Sequence, residues 1–387
     1  MRCAWCLLVP LLLAQTGCDT TFPNEEMDVA GSAKPRPFAI VCEPPEAAPG
    51  ETVTVTLHYY DPAPEPCAVT WRVALDYDLG LYEADEVERD IVDLDPLVNP
   101  IQSDAFGFCS QAFVYTIPDD ALLRASSLPD EITDPATQAL IRRLMLMEEG
   151  ETVTKEIADI FLDRIRGPNW RSYYSQDTAL AIEQLGDLFA CEIRFRASLD
   201  GAIRLDVTKN LTVRYSSNMW NPNTNTVPQI TSTYVQAVPH PDVNYDDIGV
   251  YADEITTYGL TSNGWSGDLT EIPLHAGWTY YLIGNVLLQD YTSPFDAELR
   301  QEDASLHWYH FDLDDPGSGR PLFVQDDGGE AEMGDLDSSV RLSPPARTGT
   351  LGFRVTTCAR DERLEWNGYA FAPGADLVYS EFVFVEP

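Results

Sequence analysis

The residues best equipped for chemistry in this chain are carboxylates, and the tightest useful cluster lies in its C-terminal part. Asp312, Asp314 and Asp315 precede Pro316-Gly317-Ser318-Gly319, and Asp326 and Asp327 follow it. Hard oxygen ligands gathered in one turn-rich segment are what calcium coordinates. The spacing is not that of an EF-hand loop, because Pro316 stands where the fifth ligand belongs and Phe323 where the closing glutamate belongs. Two readings of the segment remain, a calcium site and a solvated acidic loop. His307 and His310 are the other metal-type pair. Residues three apart on a strand point to opposite faces and cannot easily share an ion, whereas His310 and Asp312 share a face.

Catalytic patterns are missing. The chain has five histidines and contains no His-Glu-x-x-His, no Walker loop and no Gly-x-Gly-x-x-Gly. Gly264-Trp265-Ser266-Gly267-Asp268 lacks the closing glycine of a nucleophile elbow. No residue nominates itself as nucleophile or general base, so a non-enzymatic role is expected.

The cysteines divide by position. Arg2, an apolar run from Ala4 to Ala14 and then Gln15-Thr16-Gly17-Cys18 form a secretory signal, with a charged start, a short apolar core and small residues at the break. The apolar run is too short to span a bilayer. The residues around Cys18 resemble the lipobox of bacterial lipoproteins, with Gly17 before the cysteine and Ala14 and Thr16 nearby; Gln15 departs from the leucine usual there. The resemblance implies a signal peptide over 1–18, lipid on Cys18 and attachment to a membrane, at the periplasmic or outer surface of a cell envelope. Ordinary cleavage after Thr16, giving a secreted protein, is the alternative. Residues 19–36, with Gly31, Ser32, Lys34 and Pro35, then read as a flexible tether. Beyond the signal and Cys18 stand Cys42, Cys67, Cys109, Cys191 and Cys358, an odd number for an oxidising compartment. The first four fall in one domain and allow two disulfides in three connectivities.

With 63 acidic against 24 basic residues, the formal net charge is −39. Such a chain repels nucleic-acid phosphates, so DNA and RNA are excluded as partners on electrostatic grounds. Cationic partners and divalent ions suit it better.

Alternation then places these residues on strands. Thr52-Val53-Thr54-Val55-Thr56-Leu57-His58-Tyr59 alternates strictly, after Ala48-Pro49-Gly50, a turn in which proline sets φ and glycine supplies φ > 0. Cys67 to Leu75, Phe113 to Ile117, Cys191 to Ala197 and Leu211 to Tyr215 alternate likewise. Pro-Gly-Glu-Thr-Val-Thr-Val-Thr (49–56), Trp71 and Lys-Asn-Leu-Thr-Val-Arg (209–214) resemble bacterial immunoglobulin-like or PKD-like domains. That resemblance implies an antiparallel sandwich over 37–217, used as a spacer, adhesion or binding module, with no shared catalytic residues. Asp134-Pro135 opens a helical stretch, and apolar residues at helical spacing continue to 189, so 134–189 reads as a helical insertion.

Residues 218–228, polar and proline-bearing, form a linker. Beyond it, 229–387 reads as a second immunoglobulin-like sandwich, with strands at Gly277–Ile283, Leu306–Phe311, Leu351–Val355 and Val378–Val385, and with Trp308 in the place of Trp71. Cys358 shares parity with Arg354 and Thr356 and is expected to face away from that core. In the acidic run from Asp76 to Asp95, Leu81, Val87, Ile91 and Val92 are expected to pack partly on the first sandwich. The expectation as a whole is a mainly β protein of two sandwiches, binding an unknown envelope protein or, alternatively, a polysaccharide or calcium.

Overall fold

A computed structural model describes residues 29–30, 34–63, 65–78, 87–94, 98–121, 139, 141–143, 147, 151–154, 191–200, 204–213, 227–260, 269–292, 299–301, 303–316, 322–324, 339–342, 351–365, 369–371 and 375–387. These residues are mainly β. The strands up to residue 213 are β1 (Arg36–Glu43), β2 (Glu46–Ala47), β3 (Thr52–Tyr60), β4 (Ala68–Asp78), β5 (Val87–Asp93), β6 (Gln102–Ser103), β7 (Phe108–Thr116), β8 (Cys191–Asp200) and β9 (Arg204–Val213). One sheet runs β1-β3-β7-β6 and the other β2-β9-β8-β4-β5, all antiparallel except β2 against β9.

The expected alternation in β3 is observed: Val53, Val55, Leu57 and Tyr59 are buried, and the intervening threonines are not. The preceding turn has Gly50 at φ +80° and a hydrogen bond from Glu51 N to Ala48 O, 3.0 Å, a type II turn with proline at its second position. Between the sheets Trp71 meets Phe113 edge-on at 4.9 Å, and its indole N–H donates to Gln111 Oε1 at 3.0 Å. Each large apolar side chain enclosed here contributes about 1.5–3 kcal/mol through burial.

Of the helical insertion, residues 139, 141–143, 147 and 151–154 are described, and 141–143 are helical. Ile141 and Val153 are fully buried in the first core, and Met147 N donates to Arg142 O at 2.9 Å.

After residue 226 come β10 (Gln229–Val238), β11 (Thr256–Leu260), β12 (Thr270–Pro273), β13 (Thr279–Leu287), β14 (Asp290–Thr292), β15 (Leu299–Gln301), β16 (Asp303–Asp312), β17 (Phe323–Val324), β18 (Ser339–Leu342), β19 (Leu351–Glu365), β20 (Tyr369–Phe371) and β21 (Ala375–Val385). They form sheets β11-β10-β13-β18-β17 and β12-β21-β19-β16, with β14 and β15 as a separate hairpin and β20 paired to β19. Sheet order repeats that of the first sandwich: β10-β13-β18-β17 corresponds to β1-β3-β7-β6, and β12-β21-β19-β16 to β2-β9-β8-β4. In both, a short strand joins the second sheet in parallel. Trp308 lies on β16, the counterpart of β4, and is buried in the second core. Among the described residues, no strand before 214 pairs with a strand after 226.

Two expectations need correction. Ile91 and Val92 on β5 are 52% and 44% exposed rather than packed, because β5 is the outermost strand of its sheet, whereas Leu94 beyond it turns inward; Leu81 and the Val87 side chain lie outside the described residues. Val29, expected in the tether, is buried, and its N–H donates to His310 O at 3.1 Å along the open edge of β16. An apolar residue beside an unpaired edge carbonyl gains both burial and a hydrogen bond there.

Candidate functional site: the seam between the sandwiches

The largest concentration of unusual side chains lies where the outer face of β1-β3-β7 meets the outer face of β16-β19-β21. Two of the strands bordering this seam, β16 and β21, carry apolar side chains on both faces. On β16, Leu306 and Trp308 enter the second core while Tyr309 and Phe311 enter the seam; on β21, Val378 enters the core while Leu377 and Tyr379 enter the seam. Phe38 meets Tyr309 at 5.0 Å, Tyr60 meets Phe311 at 5.8 Å, and Phe108 meets Phe311 at 5.6 Å and Tyr379 at 5.5 Å.

Arg354, only 3% exposed, fills the centre. Its Nη1 donates to Asp104 Oδ2 at 2.5 Å, its Nε to Glu381 Oε1 at 2.8 Å, and its Nη2 to the same Glu381 oxygen. The guanidinium lies 4.8 Å from the Phe106 ring centre and 4.6 Å from that of Phe108, within cation–π range. Asp104 also shapes the turn into β7, where its Oδ1 accepts from Phe106 N at 2.7 Å and Phe108 N at 2.9 Å. One carboxylate from the first sandwich thus builds a turn and holds a cation from the second. His58 stands beside Tyr379, ring centres 6.4 Å apart, and burial pushes its imidazole down to about 4.

The residues singled out by sequence disperse over the molecule. Cys18, Asp326 and Asp327 lie outside the described residues. Asp312 Oδ1 accepts from Asp314 N at 3.0 Å and Asp315 N at 2.9 Å, and Asp314 Oδ2 accepts from Gly352 N at 2.7 Å, so two of these three carboxylates build the turn after β16. No group of three or more His, Cys, Asp or Glu suited to a metal occurs among the described residues. His310 is buried against Phe323, ring centres 5.0 Å apart, on the same inner face as Trp308.

Cys42, Cys67, Cys109, Cys191 and Cys358 are thiols in the structure. Cys358 does face away from the second core, as its parity requires, yet it is fully buried because the first sandwich covers that face. Sequence reasoning missed the seam. Its signal was present in apolar runs that break alternation, such as Tyr59-Tyr60, Phe108-Cys109 and Leu377-Val378-Tyr379, where a sheet is covered on both sides.

The fold and the seam together define a tandem antiparallel β-sandwich protein. No family model and no curated protein matches the chain. Among the described residues, no helix is long and apolar enough to cross a membrane.

Proposed function

We propose that this chain is a non-enzymatic, lipid-anchored cell-envelope protein whose two immunoglobulin-like sandwiches form one stiff body that displays a binding surface to an envelope partner. The observation that carries this reading is the seam, with Arg354 buried between Asp104, Glu381, Phe106 and Phe108. The Arg354–Asp104 pair and the aromatic contacts around it span the two sandwiches and resist hinge motion, because opening the seam would break that pair and expose the rings to water, while Glu381 stays with Arg354 on the second sandwich. The strand order of both sandwiches and the core tryptophans Trp71 and Trp308 support the immunoglobulin-like assignment. Anchorage rests on the Gly17-Cys18 signature. Val29, fixed to β16, would bring the anchor segment out beside the seam rather than at the end of a rod.

Labelled fatty acid supplied to bacteria expressing the protein tests the anchor. Incorporation into the wild type and its loss in Cys18→Ser are expected; label in both, or in neither, contradicts it.

Carbohydrate binding is the second reading, favoured by one observation. His275 and Trp278 have ring centres 4.3 Å apart, tilted by 31°, on a partly exposed turn before β13, aromatic faces of the kind sugar rings cover. Retention on a polysaccharide panel that disappears with Trp278→Ala supports it, and no retention disposes of it. Calcium would have to draw on the oxygens of Asp312, Asp314 and Asp315 left over from the turn, and an unfolding temperature indifferent to saturating calcium removes that proposal.

A further inference from the structure

Strand register decides which of the cysteines can meet. Two cysteines whose Cα atoms are more than about 7 Å apart cannot be bridged, and strand residues advance about 3.3 Å each. Cys42 lies opposite Val55 and Cys109 opposite Tyr59, four residues further along β3, or roughly 13 Å. Cys67 directly precedes Ala68, which pairs with Asp200, whereas Cys191 opens the other end of β8, roughly 30 Å away. Cys191 Sγ reaches Ala121 O at 3.7 Å, beyond the far end of β7 from Cys109. Cys42 lies at the level of Val55 and, across β3, of Phe113, whose ring meets Trp71 at 4.9 Å and Phe195 at 6.1 Å. Trp71 is four residues from Cys67 and Phe195 four residues from Cys191, roughly 13 Å along each strand. Cys358 lies in the seam, while Cys109 points into the first core. Five of the six pairings among the four cysteines are thereby excluded.

The remaining pair is drawn together by Asp61, a buried residue at the end of β3. Asp61 Oδ2 accepts from Cys67 N at 2.7 Å, and Asp61 N donates to Gly107 O at 2.8 Å. The same Gly107 carbonyl accepts from Cys109 Sγ at 3.5 Å. Tyr59, two residues before Asp61, is paired across the sheet with Cys109.

We propose that Cys67 and Cys109 form the disulfide of this protein, and that it clamps the loop after β3 to the turn that grips Arg354. Cys109 follows Phe108 directly, and Gly107 sits at φ +91° with no room for a Cβ against Asp61 O, so the cross-link would fix the segment bearing Asp104, Phe106 and Phe108. The oxidant is an external disulfide. Half-buried Cys67 loses its proton and attacks one oxidant sulfur, releasing one thiolate; Cys109 then loses its proton and attacks Cys67 Sγ, releasing the second. One S–S bond forms as one breaks, and the two protons end on the released thiols. Burial pushes Cys67 up to about 12 and Cys109 up to about 11, so the thiols stay protonated near neutrality and the exchange is slow, as befits a structural cross-link.

The test is disulfide mapping of the full-length protein after oxidised glutathione treatment, alkylation in denaturant and digestion without reductant. A single internal link joining the Cys67 and Cys109 peptides is expected, with Cys42, Cys191 and Cys358 alkylated. A link involving any of those three, or alkylation of both Cys67 and Cys109 after prolonged oxidation, overturns the proposal. As a second readout, reductant should lower the unfolding temperature of the oxidised wild type and leave that of Cys67→Ser unchanged. An equal effect on both proteins would equally overturn it.

Discussion

At the scale of single residues, Arg354 and His58 make opposite demands on charge. Arg354→Ala would leave Asp104 and Glu381 facing each other in a closed seam, and removing one partner of a buried pair costs about 3–5 kcal/mol. Urea unfolding should show that loss, and Asp104→Ala should lose at least as much because its turn at Phe106 and Phe108 goes as well. His58 is held neutral. Its folded value of about 4 lies below the ordinary 6.5, so between those values the unfolded chain binds more protons than the folded one. Stability is therefore full above about pH 6.5 and falls as pH drops toward 4, by up to about 3 kcal/mol from this group. His58→Gln should flatten that part of the stability–pH curve, measured against the wild type to remove the contribution of the carboxylates. An unchanged slope would show that the imidazole takes up its proton as readily in the folded protein as in the unfolded chain.

Among the elements, strands that alternate strictly were legible and those buried on both faces were legible only in part. The run 52–59 and the Pro49-Gly50 turn translate directly into β3 and its type II entry, because one buried face and one proline–glycine pair admit few conformations. Trp71 and Trp308 marked corresponding strands in the two sandwiches, since each fills the space between its sheets. Cys358 shows where such reading stops: its parity told which face it is on, but not that another sandwich lies over that face. Ile91 and Val92 mislead in the reverse direction, being apolar residues on an outermost strand with nothing beyond it. The acidic spacing around Asp312 was visible, yet in a turn such carboxylates are equally suited to capping backbone N–H groups, which two of them do. The turn into β7 permits its own check. Gly107→Ala puts a Cβ 2.4 Å from Asp61 O at a positive φ and should cost about 1–3 kcal/mol, seen as a lower unfolding temperature. A neutral result would mean that the turn adopts another conformation.

For the molecule as a whole, the proposed role requires the two sandwiches to move as one. Each has its own core, yet the third cluster of buried side chains draws Phe38, Tyr60 and Phe108 from one and Phe311 from the other, with Val29 from the N-terminal segment. A net charge of −39 favours separation by self-repulsion, so the seam has to outweigh it through the Arg354–Asp104 pair and the aromatic contacts that span it. The direct test is the distance between spin labels at Val114 on β7 and Val250 before β11, exposed at 59% and 79%, each replaced by cysteine and referenced to the labelled wild type. A single narrow distance distribution that broadens with Arg354→Ala is the predicted result; a broad or multi-peaked distribution already present in the protein with Arg354 intact would contradict a stiff two-sandwich body.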